Sequence, residues 1–437
     1  MWELLREGDI TESLNLSRFN QIQLPKFLKV RQNFKKDRIV DIKNEVKEKV
    51  HSHLHNLKNK RIAVGVGSRG IANINIITKT VIDCLKEAGA RPFIVPAMGS
   101  HGGATERGQK EILASYGITE ENIGVNIDPS MDTEIIGEYE ADLPVYVAKS
   151  ALNADGVVII PRIKPHTGFR GKVESGVCKM LSIGLGKQKG ADSIHSKGFE
   201  RFPELIPQIG CMIAKKTRVL FAVAIVENAY DKTYKIEIIT KDEMLDLKKE
   251  ENLLKESREL MGKILIPKFD VLIIDEIGKN ISGNGQDPNV TGLYFTGCVS
   301  GGPEFKKCVI LDITKESHGN ANGVGVSDII TRKLFDKINF IDMYTNCFTS
   351  TYMEPAKIPM VASTSEDAIK IAVKICNGVK NGEHKIVWIK NTMELENIIV
   401  SEPLMEEVKS NSNLDILTNT ENLKFYEGEP KFSWGKL

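Results

Sequence analysis

Two short runs, Asp155 to Ile160 (DGVVII) and Val219 to Val226 (VLFAVAIV), constrain this chain more than any other feature. Neither alternates apolar with polar residues, as a strand with one wet face would, and each is too short for an ordinary buried helix. Continuous apolar strands of this kind are buried on both faces, which calls for a parallel sheet covered by helices on either side. The neighbouring pattern agrees: Arg61 to Val66 and Pro92 to Ala97 read as strands, each followed by a helix, Asn73 to Ala88 and Glu106 to Tyr116. An amphipathic helix over Ile39 to Leu57, apolar at positions 39, 42, 46, 50, 54 and 57, precedes them. This alternation is that of an α/β fold. The run Val219 to Val226 is also too short to span a bilayer.

At 437 residues the chain exceeds one ordinary hydrophobic core. The charged stretch 242–262 (DEMLDLKKEENLLKESRELMG) reads as one helix ending at a glycine, and Asp270 to Asp275 (DVLIID) opens a second strand-helix series. Strands near 307–313 and 385–390 and helices near 326–336 and 366–376 complete it. The fold class expected is therefore α/β, with two α/β domains of mainly parallel sheets separated by an active-site cleft. The expected domains are 1–263, beginning with a loosely patterned arm to residue 37, and 264–400, with a tail, 401–437, packing back on the first.

The 59 Lys and Arg residues nearly balance 58 Asp and Glu, so the formal charge of +1 provides no general attraction to nucleic acid or to an acidic membrane. Any anion must be bound locally. The cysteines at 84, 178, 211, 298, 308, 347 and 376 are odd in number and contain no C-x-x-C pair. That argues against a disulfide framework or zinc ribbon and for a reducing cytoplasm. The first residues, MWELLRE, are acidic where a secretory leader would be basic, and no apolar segment follows. A cytoplasmic location is the expectation.

Chemistry-bearing residues collect in glycine-rich loops after the predicted strands. Gly65-Val66-Gly67-Ser68-Arg69-Gly70 has the spacing of a dinucleotide fingerprint, but the next strand ends Val95-Pro96-Ala97-Met98-Gly99-Ser100-His101, without the acidic residue that would hold a ribose. A helix N-terminus with a guanidinium in its loop suits a carboxylate or phosphate better. His101, between glycines, reads as an exposed acid/base imidazole, and His166, in Lys164-Pro165-His166 after the third strand, as its partner across one ligand. His195 is either a helix-terminal cap or a metal ligand. No second His or Cys stands at ligand spacing from it, so the remaining donors would be non-protein. Lys172, Lys179, Lys187 and Lys189 read as a solvated basic run, except that Lys179 leads into the apolar Met180-Leu181, Ile183 and Leu185; it is either a nucleophile or an anion clamp. In the second series, the loops 275–287 (with Lys279) and 311–320 carry many polar groups; His318 is either catalytic or, the better reading, a loop-ordering residue.

Taken together, the Gly-Ser-Arg loop at 67–69, Gly-Ser-His at 99–101 and the stretch from Lys164-Pro165-His166 through Lys179 to His195 resemble the lactate racemase family, the nickel-pincer-dependent 2-hydroxyacid racemases and epimerases. The resemblance implies two α/β domains and a nickel complex of a pyridinium-3,5-bisthiocarboxylate mononucleotide. On these positions it makes His195 the nickel ligand, Lys179 the lysine joined to the cofactor, and Gly67 and Ser68 cofactor-binding residues. His101 and His166 become the acid/base pair, and Arg69 and Lys279 hold the substrate carboxylate. Its partners would be a small 2-hydroxy acid and the cofactor-maturation enzymes, with neither nucleic acid nor membrane. The loop at 66–71 and the sequence around Lys179 depart from the lactate-specific pattern, which implies a divergent member with a different substrate. The rival readings are a metal-free two-base isomerase and a non-catalytic nucleotide- or organic-anion-binding protein.

Overall fold

The computed structural model describes residues 21–68, 70–432 and 434. The chain divides into two compact units, one spanning Lys36–Met261 and the other built from residues up to Lys35 and from Gly262 onward. The strands, in chain order, are β1 (Phe27–Gln32), β2 (Arg61–Val66), β3 (Arg91–Pro96), β4 (Thr133–Glu140), β5 (Leu143–Ala148), β6 (Gly156–Ile160), β7 (Val219–Glu227) and β8 (Thr233–Thr240). They continue with β9 (Val271–Ile277), β10 (Lys307–Ile313), β11 (Ile329–Thr331), β12 (Met360–Ala362), β13 (Ile386–Ile389), β14 (Asn397–Ser401), β15 (Leu414–Ile416), β16 (Phe425–Tyr426) and β17 (Glu429–Pro430). This is a mixed α/β fold with mainly parallel sheets, as the apolar runs require.

In the unit 36–261 the five-stranded sheet has the order β3-β2-β6-β7-β8, parallel from β3 to β7 and closed by antiparallel β8. Every residue of β6 and all but Leu220 of β7 are buried. Helix Ile74–Glu87 covers one face with Ile74, Ile77, Val81, Ile82 and Leu85, which pack with Val64, Val66, Ile94, Val158 and Ile160 in one core. The hairpin β4–β5 lies outside this sheet. Because β3 and β6 flank β2, the chain reverses its direction of travel at β2. The loops after these three strands leave the same edge of the sheet side by side. Such a switch point is where open α/β sheets bind ligands.

The other unit has an eight-stranded sheet of order β12-β11-β10-β9-β13-β14-β1-β15, parallel from β12 to β13 and antiparallel beyond. Here the expected domains need correction. β1, inside the arm assigned to 1–263, pairs with β14 from Phe27↔Ser401 to Arg31↔Asn397 and with β15 at Val30↔Ile416. The arm's described residues up to Lys35 therefore belong with the C-terminal chain. The tail's β15 and its β16–β17 hairpin also belong to this unit. The physical reason is edge completion: β1 buries Phe27, Leu28 and Val30 while satisfying the open edges of two antiparallel neighbours.

Two local expectations also change. The charged segment 242–262 forms two helices, Lys241–Asp246 and Lys248–Leu260, parted by Leu247 at φ +66°, where Asp246 Oδ1 takes the Lys248 N–H. The stretch 326–336 gives β11 and only one helical turn, Arg332–Phe335, because Ile329 and Ile330 pair in parallel between β10 and β12.

Candidate active site at the carboxyl edge of the smaller sheet

Ser68 follows β2, His101 follows β3 and His166 follows β6, so the two histidines are not on adjacent strands but straddle the loop from β2. At ~4.8 Å per strand step their strand ends stand about 10 Å apart. Arg69, the expected carboxylate clamp, lies outside the described residues.

His101 sits at a turn that only glycine permits. Gly99 (φ +59°) and Gly102 (φ +69°) adopt left-handed backbone, and a Cβ at 102 would lie 2.5 Å from the Gly108 carbonyl carbon. The glycines thus serve the turn and its close packing. The ring they flank is half-buried and not fully exposed as expected, with Nδ1 hydrogen-bonded to Ser68 Oγ. The Ser68 carbonyl in turn accepts from Tyr116 Oη at 2.5 Å.

His166 is buried in a loop organised by Glu174. The fully buried Glu174 carboxylate accepts the His166 N–H at 2.6 Å and the Gly171 N–H at 3.2 Å, and pairs with Arg170 and Arg258. Nδ1 of His166 accepts the Gly168 N–H at 3.0 Å, which leaves the ring proton of the neutral form on Nε2. Burial first, then the electrostatic influence of Lys179, His195, Lys164 and Arg170, holds the His166 pKa well below the ordinary histidine value. The ring is neutral at neutral pH.

His195 ends the helix Lys187–His195, and its Nδ1 is 2.7 Å from the Ala191 carbonyl. A carbonyl only accepts, so Nδ1 carries the proton and Nε2 keeps its lone pair, the form in which histidine binds metal. Burial, with Lys179 adding to it, lowers this pKa also. His166 and His195 share one aromatic wall, their ring centres 5.8 and 5.7 Å from that of Phe199; Phe169 packs at a tilt against the first and Phe202 edge-on against the second.

Lys179 ends the short helix Val177–Lys179 and is followed by a π-helical turn, Met180–Gly184, in which the Leu185 N–H reaches the Met180 carbonyl at 2.8 Å. Such turns are rare and gather at functional sites. Lys179 is partly buried, whereas Lys172 is exposed. A Cβ on Gly67 would stand 3.1 Å from Met180 Cε, and the Gly99 N–H donates to the Gly184 carbonyl, so the loops after β2 and β3 both rest on this turn.

His166 and His195 thus both lie against Phe199, with Lys179 near enough to act on the two rings electrostatically, while Ser68 and His101 form a separate hydrogen-bonded pair. Lys279 belongs to the other unit, in the loop after β9; its ammonium donates to the Gly283 carbonyl at 2.6 Å and its N–H to Ser317 Oγ at 2.8 Å. His318 occupies a left-handed position closing the turn Lys315–Ser317, a turn-forming role. Among the described residues no group of three or more His, Cys, Asp and Glu could hold a metal ion, and no helix is long and apolar enough to cross a membrane.

Sequence reasoning missed Glu174, Gln109, Glu250 and Lys187. Lys187, read as part of a solvated run, is fully buried. Glu250 is buried, and its carboxylate accepts the Cys178 N–H at 3.3 Å. Burial pushes its pKa up to about 7. A carboxyl whose folded pKa exceeds its unfolded value contributes stability at low pH that is lost as pH rises through the folded pKa. Stability is therefore expected to fall between about pH 4.5 and 7 by roughly 3 kcal/mol through this group. Glu250→Gln keeps the acceptor and removes the titration. Urea unfolding at pH 5 and pH 7.5 is expected to show the variant gaining on the wild type at the higher pH; equal differences at both pH values would contradict the assignment.

A sequence profile described as a domain of unknown function (DUF362) matches residues 70–277. Among solved structures, the lactate racemase apoprotein from Thermoanaerobacterium thermosaccharolyticum is similar, with a TM-score of 0.53 at 16% identity over 84% of this chain and 99% of that one. At that identity the likeness establishes a shared fold. None of the curated proteins matches.

Proposed function

We propose that this protein is a racemase or epimerase of a small 2-hydroxy acid that works with a nickel-pincer nucleotide. The observation that carries the reading is the state of His195: a half-buried, neutral imidazole with Nδ1–H bonded to its own helix and Nε2 open, beside a neutral His166 and Lys179. A single imidazole with a nearby lysine fits a metal whose other donors are not protein; it does not fit a protein-only metal cage. His195 Nε2 and Lys179 would hold the group, with Gly67 and Ser68 beside it, and when bound it supplies an electrophilic carbon able to take up hydride, which the protein's own groups cannot do.

The chain's own residues do the rest. Arg69 binds the substrate carboxylate. His101 and His166, from the loops on either side, each serve one face: one takes the hydroxyl proton of one enantiomer, and the other manages the proton on the opposite face after the planar keto acid turns over. In the present loop conformation His166 offers Nε2–H as a donor to the substrate oxygen. It accepts a proton at Nε2 only when the Gly168 N–H contact is released and the ring proton moves to Nδ1. The Phe169, Phe199 and Phe202 wall excludes water from this half of the site.

The test is intact-mass and metal analysis of protein co-expressed with cofactor-making enzymes, with inversion of 2-hydroxy acids assayed in parallel. A nickel-containing adduct lost in Lys179→Ala, nickel lost in His195→Ala and inversion at the substrate's α-carbon are the results expected. Tight anion binding with neither nickel nor inversion would overturn the proposal in favour of a binding protein. Inversion that survives removal of nickel would favour a metal-free two-base isomerase.

A further inference from the structure

The buried Lys187 is part of no step above, yet it concentrates two unfavourable features. Its backbone is left-handed, φ +53°, where a lysine is strained. Its ammonium is fully buried and donates to two uncharged acceptors, the Pro96 carbonyl at 2.8 Å and Gln109 Oε1 at 3.1 Å. Burial lowers its pKa to about 8, against which only Asp128 and Glu106 act, from a distance. A methionine would fill the same space without the desolvation penalty.

The contacts explain what the charge does. Pro96 is the last residue of β3, and Gln109 lies in the helix Glu106–Ser115 that follows the His101 loop. Gln109 is itself fully buried, and its amide nitrogen donates to the Gly99 carbonyl at 2.9 Å and the His101 carbonyl at 3.3 Å. Gln109 thus receives from Lys187 on one side and grips both ends of the histidine turn on the other. Lys187 also begins the helix whose last residue is His195, about 12 Å further along at 1.5 Å per residue.

We propose that Lys187 and Gln109 form a buried strut that fixes the backbone of His101 relative to the helix bearing His195, and that both are positioning residues for the acid/base step. The inference rests on His101 acting on substrate as proposed above. Its structural half does not. The two halves of the strut separate in Gln109→Glu, which keeps an acceptor for Lys187 but has no N–H for the Gly99 and His101 carbonyls.

The experiment compares wild type, Gln109→Glu and Lys187→Met by thermal unfolding, by imidazole NMR of histidine-labelled apoprotein with the His101 signal identified through His101→Asn, and by inversion kinetics of the cofactor-loaded enzyme. Gln109→Glu is expected to unfold within a few degrees of wild type, to shift the His101 ring resonances, and to lower kcat at least tenfold with KM within about twofold. Lys187→Met is expected to do the same where it folds. Unchanged His101 resonances in folded Gln109→Glu would overturn the strut whether or not the protein is a racemase. Shifted resonances with unchanged kcat would overturn the positioning role alone. Wild-type protein without inversion, but with shifted resonances in the variants, would sink the functional reading and leave the strut.

Discussion

Replacing His166 by asparagine is expected to lower the rate of inversion on the order of a hundred- to ten-thousand-fold, the usual contribution of a positioned acid/base group. The two enantiomers of a 2-hydroxy acid with one stereocentre have equal free energy, so kcat/KM must fall by the same factor in both directions even though His166 faces only one of them. His101→Asn is expected to behave alike. The pH profile tests the His166 ring. Burial and the surrounding cations keep His166 neutral well below the ordinary histidine range, so its loss of function on acidification is expected below pH ~6.5. Imidazole NMR of the apoprotein is expected to find the His166 proton on Nε2, because Nδ1 accepts from Gly168. Inversion within tenfold of wild type in His166→Asn would remove His166 from the mechanism, whereas a ring protonated on Nδ1 would show that the Gly168 N–H contact is not kept.

The second large effect concerns a residue that touches no substrate. Glu174→Ala is expected to destabilise the protein by about 3 kcal/mol, the lower end of the range for breaking a buried ion pair. The carboxylate is fully buried, whereas the Arg258 side chain remains 37% exposed, which moderates the loss. Without Glu174 the His166 N–H and Gly171 N–H lose their acceptor, and Arg258, whose Nε already has no partner, keeps a partly buried charge. Urea unfolding measures the change; a loss under 1 kcal/mol would show that the loop does not depend on this pair. Because the same carboxylate shapes the His166 loop, inversion is expected to fall further than the folded fraction alone accounts for.

What was legible in the sequence follows from the range of each interaction. The strands β2, β3, β6 and β7 could be read because burial on both faces writes itself into consecutive residues. The helix Ile74–Glu87 could be read because its apolar stripe repeats every turn. His101 and His166 stood out as polar groups in glycine- and proline-rich turns just beyond such strands. β1 did not stand out as part of the C-terminal sheet, since FLKVRQ matches many partners and its actual one, beginning Phe27↔Ser401, leaves no local trace. Leu247 carries no sequence mark of its left-handed turn. Glu174, Gln109 and Lys187 look like surface residues in one dimension. Each is buried because groups tens of residues away complete its hydrogen bonds: Arg258 for Glu174, Pro96 and Gln109 for Lys187.

The partition of the chain has a consequence for biosynthesis. Lys29 meets Thr418 across 389 residues of sequence. At ~5–20 residues per second a ribosome needs roughly 20 to 80 s to make that much chain. The segment 36–261 can complete its own sheet during that interval, while Phe27, Leu28 and Val30 wait, uncovered, for strands not yet translated. This strand of the nascent polypeptide is where a chaperone would be needed.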